Sequence, residues 1–417
     1  MKYSRPRGTH DVTPAEVGRW LAVEGVFQRA FERFGYRGMR TPIFESTDLF
    51  VRAVGEQSDI VTKEMYTFTD RGGRSLTLRP ENTASVIRAY LENGMHRWGG
   101  IQRLWYAGPM FRYDRPQAGR YREFHQVGAE AIGSASPALD AEIIQLVVEA
   151  LAELGFAGLD VRLNSVGTEA SRVRYRGVLL EAIESLSAEL APEALARYRQ
   201  NPLRIFDSKE YGTTLKQRLP LISQYLVDED RAHFERVKEL LASLHVSFTE
   251  DVHLVRGLDY YTRTVFEVYH GAHGAQSALC GGGRYDTLVA EFGGPDTPAI
   301  GMSAGLERIV EALPATSEAN EVAGPRYYVV CVGAGAEARA LEAARVLRAF
   351  GSVELDVSGR SKKTQLEAAA KKKARVAVLV EASSDQVVWH DLAQREEVRV
   401  AWELLERRAR EQSDATS

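Results

Sequence analysis

The side chains most able to do chemistry cluster between Arg112 and Glu130. Side chains on a strand alternate faces, so Phe124, Gln126, Gly128 and Glu130 share one face if this stretch is extended, and Gly128 leaves a gap on it. Arg112, on a partner strand, joins the same face. One surface then presents a guanidinium, an amide, a carboxylate and an aromatic ring. The same set equally suits a solvated sheet face with a satisfied ion pair, because structural ion pairs are common. The segment before it holds Arg112, Arg115, Arg120 and Arg122. Each guanidinium is a planar fork of donors that matches phosphate oxygens. A charged hairpin tip that keeps the chain soluble is the competing reading.

Two further stretches crowd polar groups around glycine. Arg256-Gly-Leu-Asp-Tyr-Tyr261 follows a run read as a strand, Val252–Arg256. Its glycine lets backbone approach a ligand; the plain alternative is a strand-end turn. Cys280-Gly-Gly-Gly-Arg-Tyr285-Asp reads as a Gly-rich turn, which alone is weak evidence for a site. His270, His273 and Cys280 lack a fourth ligand at regular spacing, so no structural metal is expected. No Walker-type loop or dinucleotide fingerprint occurs. Any use of ATP must therefore run through an arginine-lined sheet.

The elements that would hold these groups follow from periodicity. Thr13–Phe34 has helical spacing, and Tyr36–Phe44 alternates up to Thr41-Pro42 as an edge strand would. Ile101–Arg112 and Tyr121–Ile132 read as two long strands joined by a basic hairpin tip. Leu139–Leu154 is a predicted helix and Leu159–Leu163 a short strand. The character turns helical from about Gly167 to Leu244, through Tyr175–Leu190 and Phe234–Leu244. Strands return at Val252–Arg256, Val265–His270 and Ala299–Ala304, followed by the helix Leu306–Leu313. After a linker at Pro314–Pro325, strands Tyr327–Val332, Val353–Val357 and Val376–Val380 alternate with helices Ala336–Phe350 and Lys362–Lys373. That alternation implies a small α/β domain with parallel pairing.

With 417 residues, two or three domains are expected. The net charge of −4 argues against a simple polycation, though a local basic patch remains compatible with it. Two distant cysteines, Cys280 and Cys331, build no disulfide framework, so a reducing compartment is expected. The opening residues contain no apolar signal-peptide core, and no run has the roughly 18 apolar residues of a membrane span. A cytoplasmic protein without membrane association is the expectation.

These stretches together resemble the class II aminoacyl-tRNA synthetases. Phe34–Glu45 is similar to motif 1, Phe111-Arg112 through Glu130 to motif 2, and Ala299–Arg308 to motif 3. Leu254–Glu267 and Gly281–Asp286 resemble peptides peculiar to the histidyl-tRNA synthetase family. Arg7–Asp11 and Leu78–Thr83 fit as well, and Asp356–Ser361 looks like that family's C-terminal domain. Asn82 and Asp114 depart from the residues often found there.

The resemblance implies an α+β fold, a class II antiparallel sheet flanked by helices, with a helical insertion and a C-terminal α/β anticodon-binding domain. The implied domains are 1–166 and 246–315 for catalysis, 167–245 for the insertion and 325–417 for the anticodon. It implies a homodimer that activates L-histidine with ATP and Mg²⁺, then transfers it to tRNA(His). Arg112 would hold the α-phosphate and the histidine carboxylate. Arg120 and Arg308 would manage the outer phosphates, with adenine between Phe124 and Arg308. Glu81, Thr83 and Gln126 would bind the α-ammonium. Glu130 and Tyr261 would read the imidazole, Tyr260 and Tyr285 would line the pocket, and Arg256 would stabilise charge at the reacting phosphate. A non-catalytic, synthetase-like regulator of histidine biosynthesis is a rival. It needs neither the full arginine set nor the C-terminal domain. A class II synthetase for another amino acid is a second rival, opposed by Arg256–Glu267.

Two regions are expected to touch tRNA. Arg115 and Gln117 lie at the hairpin tip. Lys371, Lys372 and Lys373 belong to a cluster of seven basic residues between Arg360 and Arg375, against the single acidic Glu367. A solvated helix face is the alternative for the lysines, since cations at a helix C-terminus also suit its dipole.

Overall fold

The basic hairpin forms as its alternation dictates. Gln102–Phe111 and Glu123–Ile132 pair antiparallel, with Gly108 opposite Gln126, Tyr106 opposite Gly128 and Leu104 opposite Glu130. Val127, Ala129 and Ala131 point into the main core, which leaves the even-numbered residues on the opposite face. The computed structural model describes residues 3–56, 58–116, 119–207, 213–271, 278–317, 319 and 324–414. It divides into two units, Met1–Glu321 and Val322–Ser417.

The strands of the first unit are β1 (Arg37–Gly38), β2 (Phe44–Ser46), β3 (Tyr66–Thr69), β4 (Ser75–Leu78), β5 (Gln102–Phe111), β6 (Glu123–Ile132), β7 (Leu159–Ser165), β8 (Thr249–Glu250), β9 (Thr262–His270), β10 (Cys280–Arg284) and β11 (Ala299–Gly305). The large sheet has the order β1-β5-β6-β11-β10-β9-β7-β8. Only its outermost pairs, β1 with β5 and β7 with β8, are parallel. Helices Val17–Arg33, Pro137–Glu153 and Leu306–Ala312 cover one face with Phe27, Phe31, Ile143, Leu146 and Ile309. This is the antiparallel sheet flanked by helices that the resemblance implies. Between β7 and β8 the chain is helical. Tyr175, Leu179, Ile183, Tyr198 and Ile222 form a separate core there. The last helix of that stretch, Asp228–Ser243, instead sends Phe234, Val237 and Leu241 into the main core.

Three local expectations are corrected. Tyr36–Phe44 is not one strand. Pairing with β5 stops at Gly38, because Pro42 has no N–H to donate and Arg79 takes the carbonyls of Thr41 and Pro42 at 3.2 and 3.5 Å. The chain then enters the small sheet β2-β4-β3. Val252–Arg256 is a turn and not a strand. The Asp251 carboxylate accepts from His253 N at 3.1 Å and the Asp251 carbonyl from Leu254 N at 2.9 Å, local bonds that displace a ladder. Cys280–Arg284 is not a turn but the buried strand β10, between β9 and β11. A Cβ on Gly282 would lie 2.2 Å from the Gly301 carbonyl oxygen, so this packing demands glycine.

The second unit contains β12 (Tyr327–Val332), β13 (Val353–Asp356), β14 (Val376–Glu381), β15 (Gln386–Asp391) and β16 (Glu396–Ala401), in the order β13-β12-β14-β15-β16. The expected parallel trio is present, and β15 and β16 extend it antiparallel. The helix Leu405–Asp414 closes over Trp389 and Tyr327 through Leu405 and Ala409.

Candidate active site

The even-numbered face of β6 forms a wall of a cavity of about 840 Å³ inside the first unit. Its lining includes Arg112 and Arg120 from the hairpin tip, Arg256 from the turn before β9 and Arg308 from the helix Leu306–Ala312. Arg112 donates through Nε to the Pro80 carbonyl at 2.8 Å, and its guanidinium lies 5.4 Å above the ring of Phe124. Arg120 contacts Asp114 at 3.4 Å. Arg308 reaches the carbonyls of Ala278 at 3.0 Å and Gly119 at 3.4 Å. Arg256 is ion-paired with Glu267, which also accepts from the Tyr269 phenol.

The electrostatics separate these cations. Burial opposes the charge of Arg256, but Glu267 beside it wins and raises its pKa. Burial lowers the pKa of Arg308, and the neighbouring Arg120, Arg112 and Arg256 lower it further. Burial likewise depresses Arg112, with Glu64 and Glu81 opposing. Cations crowded enough to depress one another are stabilised by a polyanion, and a triphosphate supplies one.

A buried carboxylate and a set of phenols adjoin the same cavity. Glu130 sits behind the wall, fully buried. Its carboxylate accepts from the phenols of Tyr285 at 2.5 Å and Tyr106 at 3.3 Å and from the Thr83 hydroxyl at 2.9 Å. Burial pushes its pKa up to about 8. Glu81 accepts from the backbone N–H groups of Thr83 at 2.6 Å and Ala84 at 3.0 Å, at the start of the helix Thr83–Glu92, and burial raises its pKa too. Gln126, Tyr260, Tyr261 and Tyr285 complete the lining. The Tyr260 ring stands 4.8 Å from Tyr261 and 5.6 Å from Tyr285.

The cavity region thus gathers Glu81, Thr83, Arg112, Arg120, Phe124, Gln126, Glu130, Arg256, Tyr260, Tyr261, Tyr285 and Arg308. It does not gather Arg115, which is exposed at the tip. Gln117 and His273 lie outside the described residues. Asn82 accepts from Thr41 at 2.7 Å and Arg79 at 3.2 Å, so it holds motif 1 against the site. In the second unit, Lys371 ends the helix Lys362–Lys371, Lys372 caps it and pairs with Glu354, and Lys373 follows at φ 55°. All three are exposed.

Two residues of the site were missed. Tyr106 fills the gap expected at Gly128: a Cβ there would lie 2.4 Å from the Tyr106 hydroxyl. The signal was available, since Tyr106 and Arg112 share a face of one strand. Glu267 was quoted within a motif, but its pairing with Arg256 depends on the path of a loop that spacing does not reveal. Among the described residues no group of three or more His, Cys, Asp or Glu side chains is placed to hold a metal ion.

A family model described as histidyl-tRNA synthetase matches residues 8–309. A histidine–tRNA ligase of Rippkaea orientalis is 50% identical over 84% of this chain and 82% of its own length. One from Thermosynechococcus vestitus is 46% identical over 97% and 96%. The solved structure of apo S. aureus histidyl-tRNA synthetase superposes with a TM-score of 0.80 at 34% identity, covering 97% of this chain and 99% of that one.

Proposed function

Because the chain belongs to the histidyl-tRNA synthetase family, and so is a histidine–tRNA ligase, we propose how its own residues divide the work. One observation carries the proposal: four arginines line a cavity that is also lined by Tyr285, whose phenol donates to the buried Glu130. ATP, brought as its Mg²⁺ complex, lies along the arginines, with adenine against Phe124 and Arg308. Histidine lies with its ring toward Glu130 and the tyrosines, and its α-ammonium near Glu81, Thr83 and Gln126. Its carboxylate oxygen attacks the α-phosphorus, and the bond to the bridging oxygen of pyrophosphate breaks. Two anions meet in this step, so fixed positive charge and positioning do the catalysis, and no protein nucleophile is needed. Arg112 and Arg256 serve the α-phosphate, Arg120 and Arg308 the departing pyrophosphate. A ribose hydroxyl at the 3′ end of tRNA(His) then attacks the carbonyl carbon and AMP leaves.

Selection of histidine needs a donor–acceptor set aimed at a planar ring. A site built on buried hydrogen bonds rejects analogues lacking them by about 10⁴–10⁵, so selectivity is reached without editing. We assign residues 1–166 and 246–315 to catalysis, 167–245 to the insertion and 325–417 to anticodon binding, with Arg115 at the acceptor end. A homodimer is supported by Ile43, Phe44 and Phe68, large apolar side chains left exposed in and beside the small sheet. Cytoplasmic residence is supported by two free cysteines and by the nature of the substrates. Among the described residues no helix is long and apolar enough to cross a membrane. Histidine-dependent ATP–pyrophosphate exchange tests the first step: purified protein exchanges label with histidine and not with other amino acids. Exchange driven by another amino acid would overturn the reading.

A further inference from the structure

The phenol closest to Glu130 belongs to Tyr285, and a buried charge network holds the residues on both sides of it. Strand β10 pairs with β9 in step as far as Gly283 opposite Val265, then slips so that Arg284 faces Thr262. The extra residues of this bulge, Arg263 at φ 47° and Thr264, lie on β9, and the irregularity falls beside the residue of β10 that precedes Tyr285. On its other edge β10 stays paired with β11 through Arg284 opposite Ile300, and Tyr285 N donates to the Ala299 carbonyl at 2.9 Å, so it is on the β9 side that side chains take over from the ladder.

Arg284 and Asp140 are both fully buried. The guanidinium donates through Nε to Asp140 at 2.8 Å, through Nη1 to the Ser134 carbonyl and to Asp286, both at 3.0 Å, and through Nη2 to the Ser136 carbonyl at 2.9 Å, with Nη2 also in ion-pair contact with Asp140 at 2.7 Å. Four of its five N–H groups thereby donate hydrogen bonds. On the far side of Tyr285, Asp286 N donates to the Thr262 hydroxyl at 3.1 Å, and the Asp286 carboxylate accepts from Ala299 N at 3.2 Å. Asp140 belongs to the first turn of the helix Pro137–Glu153, outside every motif named above. His233 lies 3.8 Å from Asp140, but burial holds its pKa down to about 4, so it stays neutral and leaves Asp140 to Arg284. A buried ion pair is often no more stabilising than well-packed apolar residues, so its presence beside the bulge calls for a role other than stability.

We propose that Asp140 and Arg284 are positioning residues for histidine selection, fixing the bulge that aims the Tyr285 phenol at Glu130. The inference rests on Glu130 and Tyr285 recognising the imidazole. It is tested by pyrophosphate exchange with Asp140→Asn, Tyr285→Phe and the double variant. Asp140→Asn keeps the shape but removes the charge that orients Arg284. It raises the histidine KM by about 5- to 100-fold, the range for leaving one buried polar group unpaired, and leaves the ATP KM unchanged. Adding it to Tyr285→Phe raises the histidine KM no further, because both remove the same contact. An unchanged histidine KM in Asp140→Asn, or effects that multiply in the double variant, would overturn the proposal. An unchanged histidine KM in Tyr285→Phe would instead overturn the reading of the histidine site. If Asp140→Asn does not fold, Asp286→Asn loosens the same bulge from its other side and must show the same pattern. Failure of both to fold assigns the network to stability alone and refutes the positioning role.

Discussion

Replacing Glu130 by glutamine changes the pH dependence of stability in a direction fixed by the geometry. Burial raises the Glu130 pKa from 4.5 to about 8, and its three hydroxyl donors only partly offset that. The folded protein therefore binds a proton that the unfolded chain has released between pH 4.5 and 8. Stability falls as pH rises through that window and is level with respect to this group above it. At about 1.4 kcal/mol per pH unit, the interval from pH 5 to 8 is worth about 4 kcal/mol. The side-chain amide of the variant does not titrate, so Glu130→Gln gains on the parent by that amount across the interval. Titrating groups that do not feel Glu130, including Asp140 with its pKa raised by burial to about 6, are common to both proteins and cancel. Urea unfolding of the ligand-free pair at half-unit steps from pH 5 to 9 reads the difference directly. A stability difference that stays constant with pH would show that the buried carboxyl holds no proton, and the reasoning would fail.

Arg256→His breaks the pair with Glu267 and removes a fixed cation; adenylation falls about 10²–10³-fold while the protein stays folded and keeps the parent's oligomeric state, measured by pyrophosphate exchange beside light scattering. Near-normal exchange would exclude Arg256 from the chemistry. Gly282→Ala forces a Cβ against the Gly301 carbonyl oxygen, so it destabilises the first unit by about 1–3 kcal/mol or more in urea unfolding; a neutral result would mean the sheet spreads freely. Replacing Lys371, Lys372 and Lys373 with alanine raises the tRNA KM and flattens its salt dependence by up to about one unit of slope per lost phosphate contact, with exchange unchanged. An unaltered slope assigns the lysines to solvent and the helix dipole. Arg115→Ala slows transfer to tRNA in single-turnover assays while adenylate forms normally; equal loss in both steps would move Arg115 into the activation site.

Much of the site could be read from the sequence because it lies on one long hairpin. Strict alternation put Phe124, Gln126 and Glu130 on the cavity side of β6, and Arg112 follows on the same face of β5. The C-terminal parallel trio was legible for the same reason: its strands are short, apolar and separated by helices. Glycine defeated the reading at β10, since a residue with no side chain carries no periodicity and the signal for burial lies in its neighbours. Val252–Arg256 misled in the opposite way: its apolar residues resemble a strand, but Asp251 organises a turn. The Arg284–Asp140 contact joins residues 144 apart in sequence, a distance no local pattern spans.

The strand order has a consequence for synthesis on the ribosome. β5 and β6 form a local hairpin, but the other edge of β6 waits for β11, whose last residue emerges about 170 residues later. At about 5–20 residues per second, that wait is roughly 10–35 s. Throughout it, the apolar residues Val127, Ala129, Ala131 and Ile132 lie beside an open row of backbone donors and acceptors, the arrangement that recruits foreign strands. Chaperone demand in a cell should therefore peak for chains stalled between Ile132 and Gly305, and truncations ending in that interval should aggregate even where each finished helix is stable.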